Sequence, residues 1–347
     1  MPQSGHWETV PSGSGLFSVL VPDMPRITDD LLDCVFYLYP TEEAARQGEA
    51  TGGTGFFVGV PSQVSPGKFY VYGVTNSHVI KEGRSSVVRA KSRTGGHDVI
   101  VVPPESWIHH RDGDDIAAFM VSLKPDHGVR FVSQQTWATR EKLATYDIGP
   151  GDDVCMVGRF VNHDGKQQNL PSLRFGNISM MPSEPILSPR GLLQESYLIE
   201  CRSLPGFSGA PVFVYGSGVH LGKPRTGLLP FLLLGIDWCH PPKWENVYER
   251  DKETQTAQGY CVKSNSGMAG VVPVWKLEEL LNEDFFMNIR ERHEAEVREK
   301  SRSATVSLDV VEAGVPTEFT KEDFENALKK VSRRLRPSPP DEGKSKT

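Results

Sequence analysis

The stretch LPGFSGAPVF, residues 204–213, places Ser208 in a tight Gly-Phe-Ser-Gly turn directly ahead of an apolar run. Glycine and serine dominate turns for conformational reasons alone, so the stretch by itself describes either a turn or a nucleophile. Nucleophilic catalysis by serine also needs a base, an acid that orients the base, and a rigid scaffold. Whether the rest of the chain offers these features decides between the two interpretations.

The scaffold around this turn is predicted from the pattern of apolar residues. Between Leu31 and Leu281 the chain consists of short apolar or alternating runs that turn residues separate. The clearest runs lie at residues 34–40, 55–60, 68–75, 85–90, 97–103, 115–121, 153–160, 196–201, 210–215 and 231–238. Many short strands without long helical stretches are typical of an all-β sandwich or barrel. About 250 residues with this pattern favour two packed β-barrels over one.

The composition is that of a soluble globular protein. The chain has 347 residues, of which 38% are hydrophobic and 24% charged, and its formal net charge is −6. This negative balance argues against nucleic acid as a partner. The longest apolar run, Leu228 to Ile236, is interrupted by Pro230 and is about half as long as a membrane-spanning helix. The amino terminus lacks the basic start and apolar stretch of a secretory signal, so we expect neither secretion nor membrane association.

Cysteine and acidic residues show no metal-binding pattern. The five cysteines are an odd number, and no C-x-x-C pair occurs that would suggest zinc or redox chemistry. We expect reduced, mostly buried thiols in a cytoplasmic protein. The acidic stretch at residues 111–115 lacks the spacing of a calcium-binding loop, so we predict no metal and no other cofactor.

The composition changes along the chain and predicts three regions. Residues 1–30 are rich in proline, glycine and serine, which predicts a flexible arm. Residues 31–285 form the predicted strand-rich domain. Residues 286–347 are predicted to be a charged helical tail with a disordered end. Within this pattern VWKLEELL, residues 274–281, has helical spacing.

A second helix is predicted within the tail, at residues 321–335. Phe324, Leu328, Val331 and Leu335 share one of its faces. That face predicts either an interaction element for a regulatory protein partner or a helix that docks on the protein's own barrel.

Two polar residues outside the turn suit the roles of base and orienting acid. His78 follows two apolar runs in VYGVTNSHVI, at the end of a predicted strand, where catalytic groups are commonly placed. Asp115 stands in RDGDDIAAFMV, where an acidic turn enters a strand of small and apolar residues and can be partly enclosed. The alternative interpretation, a turn aspartate that bonds its own backbone, fits Asp112 and Asp114 better than Asp115.

Six segments together resemble the trypsin-like serine peptidases with the chymotrypsin fold. TNSHVI, DDIAAFMV and GFSGAPV are similar to the segments that carry the family's histidine, aspartate and serine. TGGTGFFVGV resembles the strand ahead of the histidine in HtrA-type and stand-alone bacterial peptidases, while LRFGNIS and LLLGIDW resemble strands that flank the serine segment. The resemblance spans residues 31–281 and includes the order of the three residues, with 37 residues from His78 to Asp115 and 93 more to Ser208.

The resemblance implies two six-stranded antiparallel β-barrels with the active site in the cleft between them. His78 is implied as general base and then general acid, Asp115 as the carboxylate that orients it, and Ser208 as the nucleophile. The backbone amides of Gly206 and Ser208 are implied as the oxyanion hole. The expected function is therefore that of a serine endopeptidase acting on proteins or peptides.

The chain departs from parts of the family in two places. Phe207 stands where digestive members have an aspartate that pairs with a freshly cut amino terminus, so the chain is closer to bacterial members that fold directly into a competent state. About 65 residues follow Leu281, too few for the PDZ domain of HtrA-type proteins. A catalytically silent or partner-activated peptidase-fold module is the alternative, which the complete triad disfavours.

An α/β-hydrolase is a second enzyme class to consider for a serine in a glycine turn. Ala210 stands where the G-x-S-x-G elbow of that class has its last glycine. That class also orders its triad serine, acid, histidine and alternates strands with long helices, which this chain does not. The pattern argues strongly against this class.

The family resemblance also implies a pocket for the side chain before the cut. Arg202, six positions ahead of Ser208, is implied as its floor. The walls are implied to come from Asp237, Trp238, His240 and Gly270. An arginine floor favours an acidic side chain, since guanidinium and carboxylate form a charge-assisted pair. Neutralisation of Arg202 by Asp237, or a shallow pocket under Trp238, favours a small or apolar side chain instead.

Overall fold

The computed structural model describes most of the chain between residues 29 and 312. The described residues are 29–50, 52–161, 165–187, 191, 193–201, 203–216, 219–220, 223–224, 231–249 and 252–312. Nearly all of the predicted amino-terminal arm, the predicted helix at 321–335 and Arg202 lie outside them.

The described residues form twenty strands and six α-helices. The strands are β1 Val35–Tyr39, β2 Thr54–Pro61, β3 Phe69–Thr75, β4 Val87–Lys91, β5 His97–Ile100, β6 Ile108–His109, β7 Ala117–Val121, β8 Val132–Ser133, β9 Asp153–Gly158, β10 Ser172–Met180, β11 Ile186–Leu187, β12 Leu193–Gln194, β13 Tyr197–Glu200, β14 Pro211–Val214, β15 Val219–His220, β16 Lys223–Pro224, β17 Leu232–Cys239, β18 Pro242–Glu249, β19 Lys252–Asn265 and β20 Met268–Pro273. The helices are α1 Asp29–Leu32, α2 Glu42–Gln47, α3 Ser77–Lys81, α4 Arg140–Thr145, α5 Val274–Leu281 and α6 Asp284–Glu312, with 3-10 turns at Pro104–Ser106 and Gln134–Thr136.

The first half of the domain is a curled eight-stranded sheet. Its strand order is β5-β4-β1-β2-β3-β7-β6, and β8 pairs with β2 in parallel while the other pairs are antiparallel. Strand β2 is buried on both faces: Phe56 and Val58 pack into one apolar cluster and Phe57 into another, as the two-residue period of a strand dictates.

This first sheet differs from the six-stranded barrel that was predicted. Among the described strands, the path ends at β5 and β6 without joining them. The two edge strands are only four and two residues long, too short to form a ladder that would close the sheet. The fold class is nevertheless confirmed, because the second half closes as predicted.

The second half is a closed barrel of six antiparallel strands in the order β10-β13-β20-β17-β14-β9. Strand β14, which directly follows the Ser208 turn, is buried on both faces. Val212 and Val214 pack with Leu232 and Leu234, whereas Phe213 packs into the cluster on the opposite face. The turn is therefore attached to one of the most rigidly packed strands of the molecule.

Short helices interrupt the strands, contrary to the expectation of uninterrupted β-structure. Helices α2, α3 and α4 have five or six residues each and lie within the strand-rich region. Thr41 and Thr139 cap α2 and α4 by accepting hydrogen bonds from backbone amides, which explains why such short segments turn into helix.

The predicted helix at residues 274–281 is confirmed as α5. Val274, Leu277 and Leu281 are buried along it at helical spacing.

The longer helix α6 begins at Asp284, and the chain divides into two compact units, Met1–Arg290 and Glu291–Thr347, with the boundary inside this helix. None of the helices among the described residues is both long and apolar enough to span a membrane.

Candidate active site

The structure brings His78 and Asp115 into direct contact. His78 lies on α3, which follows β3 after one residue, and Asp115 lies two residues before β7, the strand that pairs with β3. His78 Nδ1 is 2.6 Å from Asp115 Oδ2, and the His78 backbone amide donates to Asp115 Oδ1 over 2.9 Å. Because a carboxylate only accepts hydrogen bonds, this geometry assigns the proton to Nδ1 and leaves Nε2 as the basic nitrogen.

Three neighbours fix the backbone around this pair. Asn76 Nδ2 donates to the Asp115 carbonyl over 2.8 Å, and the Ser77 hydroxyl donates to the Ile116 carbonyl over 2.8 Å. The Asp115 amide donates over 2.8 Å to Oε1 of Gln194, which lies 79 residues further along the chain. The backbone of Asp115 is therefore held both by a neighbour of His78 and by a residue of β12, far along the chain.

Ser208 belongs to the second half and meets the first half at β2. The Thr54 amide donates to the Ser208 carbonyl over 2.9 Å. A Cβ at Gly53 would lie 2.8 Å from that carbonyl oxygen and 2.7 Å from Val79 Cγ2, so Gly53 fills the narrow space between the Ser208 turn and α3. The three predicted triad residues thus converge on one region.

In the described part of the chain, no hydrogen bond joins the Ser208 hydroxyl to His78. Hydrogen bonds between catalytic groups are often long in the unliganded state and tighten when substrate binds. The contact between His78 and Asp115 is therefore formed without a hydrogen bond from Ser208 to the imidazole.

The turn presents two backbone amides that fit an oxyanion hole. Among the described residues, the Gly206 and Ser208 amides donate to no backbone carbonyl. The amides that follow each of them in sequence do: Phe207 donates to the Leu204 carbonyl and Gly209 to the Asp237 carbonyl. Gly206 has φ of +99°, and a Cβ there would lie 2.8 Å from the Arg159 carbonyl oxygen. Only glycine tolerates both conditions. Two amide donors on one turn that have no backbone partner among the described residues can bind a developing oxyanion.

Phe207 stands where digestive members have an aspartate, and its ring is buried in the core. Its side chain is fully buried and packs against Gly158, where a Cβ would approach the ring to 2.6 Å. The guanidinium of Arg174 lies 5.1 Å from the ring centroid, within the range of a cation–π contact. Apolar packing therefore anchors the turn where an ion pair does so in digestive members.

The predicted pocket residues differ in how far their side chains are exposed. Arg202 lies outside the described residues. Asp237 and Trp238 are only 1% and 3% exposed, so their side chains are buried and do not form accessible walls. Trp238 Nε1 donates to the Ser196 hydroxyl over 2.8 Å, and a Cβ at Gly270 would lie 2.7 Å from that nitrogen. His240 is partly exposed, and burial together with Lys263 lowers its pKa.

Asp237 is a buried carboxyl group with an unusual pKa. Its Oδ2 accepts a hydrogen bond from the Ser203 hydroxyl over 2.9 Å, while Oδ1 is buried without a partner among the described residues. Burial raises the pKa of Asp237 to about 7, although the Ser203 hydrogen bond lowers it. The neutral acid is favoured because desolvation disfavours the charged form.

We therefore expect Asp237→Asn to change how stability depends on pH. In the native protein Asp237 keeps its proton up to about pH 7, whereas in the unfolded chain it loses the proton near pH 4, so stability falls as pH rises through this window. The amide cannot ionise, and the variant should lose less stability between pH 5 and 8, by on the order of 1–3 kcal/mol. Thermal unfolding at both pH values measures this, and equal pH dependence of the two proteins would contradict it.

A polar cluster supports the loop that carries Asp115. His110 is buried with Nδ1 3.1 Å from Asp114 Oδ2 and Nε2 3.4 Å from Glu279 Oε2. The Lys276 ammonium lies 3.0 Å from Glu279 and 3.3 Å from Asp114. His110, Asp112 and Glu279 offer three possible metal ligands within 4.8 Å, but Lys276 already supplies the positive charge beside Glu279. We assign this cluster a structural role.

Sequence reasoning missed two residues that contact the predicted site. Thr54 was quoted within TGGTGFFVGV, but nothing in that segment shows that its side chain reaches the Ser208 turn. Gln194 carries no local signal, since its contact with Asp115 depends on how the two halves pack. Asn76 and Ser77, in contrast, directly precede His78, so proximity in sequence could have identified them.

The curled sheet, the closed barrel and the carboxy-terminal helices define a chymotrypsin-like fold. Residues 53–222 match the family described as the trypsin-like peptidase domain. The chain therefore contains a trypsin-like peptidase domain, which confirms the resemblance seen in the sequence.

Solved structures with similarity to the chain share little sequence with it. The MamO protease domain from Magnetospirillum magneticum in its apo form is 13% identical, with 73% of this chain and 98% of that chain covered and a TM-score of 0.42. An inactive mutant of Rv3671c from M. tuberculosis H37Rv is 14% identical, with coverage of 72% and 86% and a TM-score of 0.38. Deg5 is 17% identical, with coverage of 61% and 81% and a TM-score of 0.34. No curated protein matches the sequence.

Proposed function

We propose that this protein is a serine endopeptidase that uses His78, Asp115 and Ser208 through an acyl-enzyme. The observation that carries the proposal is the contact of His78 Nδ1 with Asp115 at 2.6 Å, within a trypsin-like peptidase domain. The free amides of Gly206 and Ser208 beside the candidate nucleophile add to its support.

The chemistry follows from the orientation of the imidazole. Nε2 of His78 accepts the Ser208 hydroxyl proton as Oγ attacks the scissile carbonyl, and Asp115 stabilises the imidazolium that forms. The Gly206 and Ser208 amides hold the oxyanion. His78 then gives its proton to the leaving amine, and water hydrolyses the acyl-enzyme by the same steps. No metal or organic cofactor enters this sequence of steps.

The proposed substrate class is protein or peptide, as the fold implies. Since Asp237 and Trp238 are buried, the preference for the residue before the cut depends on Arg202, which lies outside the described residues. An acidic preference follows if Arg202 lines the pocket, and a small or apolar preference follows otherwise.

Labelling with a fluorophosphonate serine probe tests this function. The full-length wild type should be labelled, and Ser208→Ala should not, because the probe phosphonylates only an activated serine. Ser106→Ala removes an exposed serine from a 3-10 turn and is the matched control that should label fully. Absence of labelling in the wild type would favour the catalytically silent or partner-activated module.

Beyond the domain, the proposal includes a regulatory protein partner that binds the predicted helix at residues 321–335. It also places the enzyme in the cytoplasm, for which the support is that Cys34, Cys155 and Cys201 are free and buried. Burial raises the pKa of Cys155 and of Cys201 to about 12, so these thiols stay protonated and unreactive.

Deletion of residues 318–347 tests the partner proposal. The truncated protein should lose capture of a partner in pull-down experiments while its Tm stays within about 2 °C of the full chain, since an interaction helix contributes little to the barrel's own stability. The full chain with Leu328→Asp is the control for loss of the apolar face alone. A lower Tm with unchanged capture would show that the helix docks on the barrel instead.

A further inference from the structure

Thr54, the first residue of β2, connects the first half of the domain to the Ser208 turn. It is fully buried. Its hydroxyl donates to the Gly206 carbonyl over 2.6 Å and accepts from the Arg159 amide over 2.9 Å. Its backbone amide donates to the Ser208 carbonyl over 2.9 Å. One residue thus bonds two carbonyls of the turn, 152 and 154 positions away in sequence.

These two bonds fix two peptide planes of the turn, one before and one after the plane that carries the Ser208 amide. The hydroxyl holds the plane between Gly206 and Phe207, and the amide holds the plane between Ser208 and Gly209. The Ser208 amide lies in the plane between them, and the Gly206 amide lies just before them. Because a peptide unit is rigid, holding these carbonyls restricts the directions in which both free amides can point.

We infer that Thr54 is a positioning residue for the oxyanion hole. The inference rests on the proposed function, since it assigns Thr54 to the same site. The hydroxyl is suited to the task because both its donor and its acceptor capacity are used, so its rotation is fixed. Thr54 touches no reacting atom; it acts through the directions of the Gly206 and Ser208 amides.

Two substitutions separate the hydroxyl from the rest of the side chain. Thr54→Val keeps the branched shape but removes the hydroxyl, and Thr54→Ser keeps the hydroxyl. We expect Thr54→Val to lower kcat for fluorescein-labelled casein about 10–100-fold with KM within about two-fold, since loss of an oxyanion donor itself costs about 10²–10³. Thr54→Ser should retain kcat within about three-fold of the wild type.

Thr75→Val is the matched control. Thr75 is also fully buried, and its hydroxyl donates to the Thr54 carbonyl over 2.7 Å and thus to neither of the two turn carbonyls that Thr54 holds. The variant loses one buried hydroxyl in the same region, so it should lose comparable stability yet label with the fluorophosphonate probe at nearly the wild-type rate. Equal losses of labelling rate in Thr75→Val and Thr54→Val would overturn the inference, because general loosening of the core would then explain both.

Amide hydrogen exchange gives a readout that does not depend on activity. The amides of Phe207, Gly209 and Ala210 are hydrogen-bonded, and they should exchange faster in Thr54→Val than in Thr75→Val. Unchanged exchange at these three amides, with wild-type kcat, would overturn the positioning role. If the wild type neither cleaves nor labels while exchange still rises in Thr54→Val, the proposed function fails and the structural role of Thr54 stands.

Discussion

Ser208→Ala is expected to reduce kcat for casein by about 10⁴–10⁶, because alanine leaves no oxygen to attack the scissile carbonyl. The protein should fold normally, since the side chain is only partly buried and makes no hydrogen bond among the described residues. His78→Ala should lose kcat to a similar extent, because the hydroxyl proton then has no acceptor. Steady-state hydrolysis and circular dichroism of each purified variant measure both expectations.

The double variant provides the sharper test of this pair. Residues that act as one catalytic unit are strongly non-additive, so Ser208→Ala combined with His78→Ala should be no slower than either single variant. Ser106→Ala, on the exposed 3-10 turn, should hydrolyse casein at the parental rate. Parental turnover by Ser208→Ala would show that this serine is a turn residue and nothing more.

The strands were predictable because their apolar pattern has a physical cause. Each of the ten apolar runs overlaps a strand of the structure, since a strand buried on one or both faces must alternate or be continuously apolar. The run at 210–215 is an example: β14 is apolar throughout because both faces are buried. The residues of the candidate site were recognised because the glycine turn, the histidine and the aspartate each lie at the end of such a run.

Features that depend on packing or on polar sequence were not predictable. The hairpin of β18 and β19, from Pro242 to Asn265, has many polar residues and exposed aromatic side chains, so it lacks the apolar pattern of a buried strand. The open edge of the first sheet follows from how short β5 and β6 are. Thr54 and Gln194 contact residues 152 and 79 positions away, and no local pattern encodes such contacts.

Asp115→Asn is expected to fold normally and to lose about 10⁴ in kcat. The amide oxygen can still accept from the His78 backbone amide, as Oδ1 of Asp115 does over 2.9 Å. The amide nitrogen then faces Nδ1 of His78 and donates to it, which moves the ring proton to Nε2. An imidazole with its proton on Nε2 cannot accept the Ser208 proton. The fold is retained because the substitution changes neither shape nor volume.

Asp114→Asn separates this explanation from a general effect of charge. Asp114 is adjacent in sequence, but its carboxylate faces His110, Lys276 and Gln194. Among the described residues, its side chain is linked to the candidate site through Gln194, which accepts from the Asp115 amide. We therefore expect Asp114→Asn to lower the Tm while kcat stays within about ten-fold of the parent. A loss of about 10⁴ in Asp114→Asn together with a mild effect in Asp115→Asn would mean that Asp114 is the orienting acid. The 2.6 Å contact between His78 and Asp115 would then have no role in catalysis.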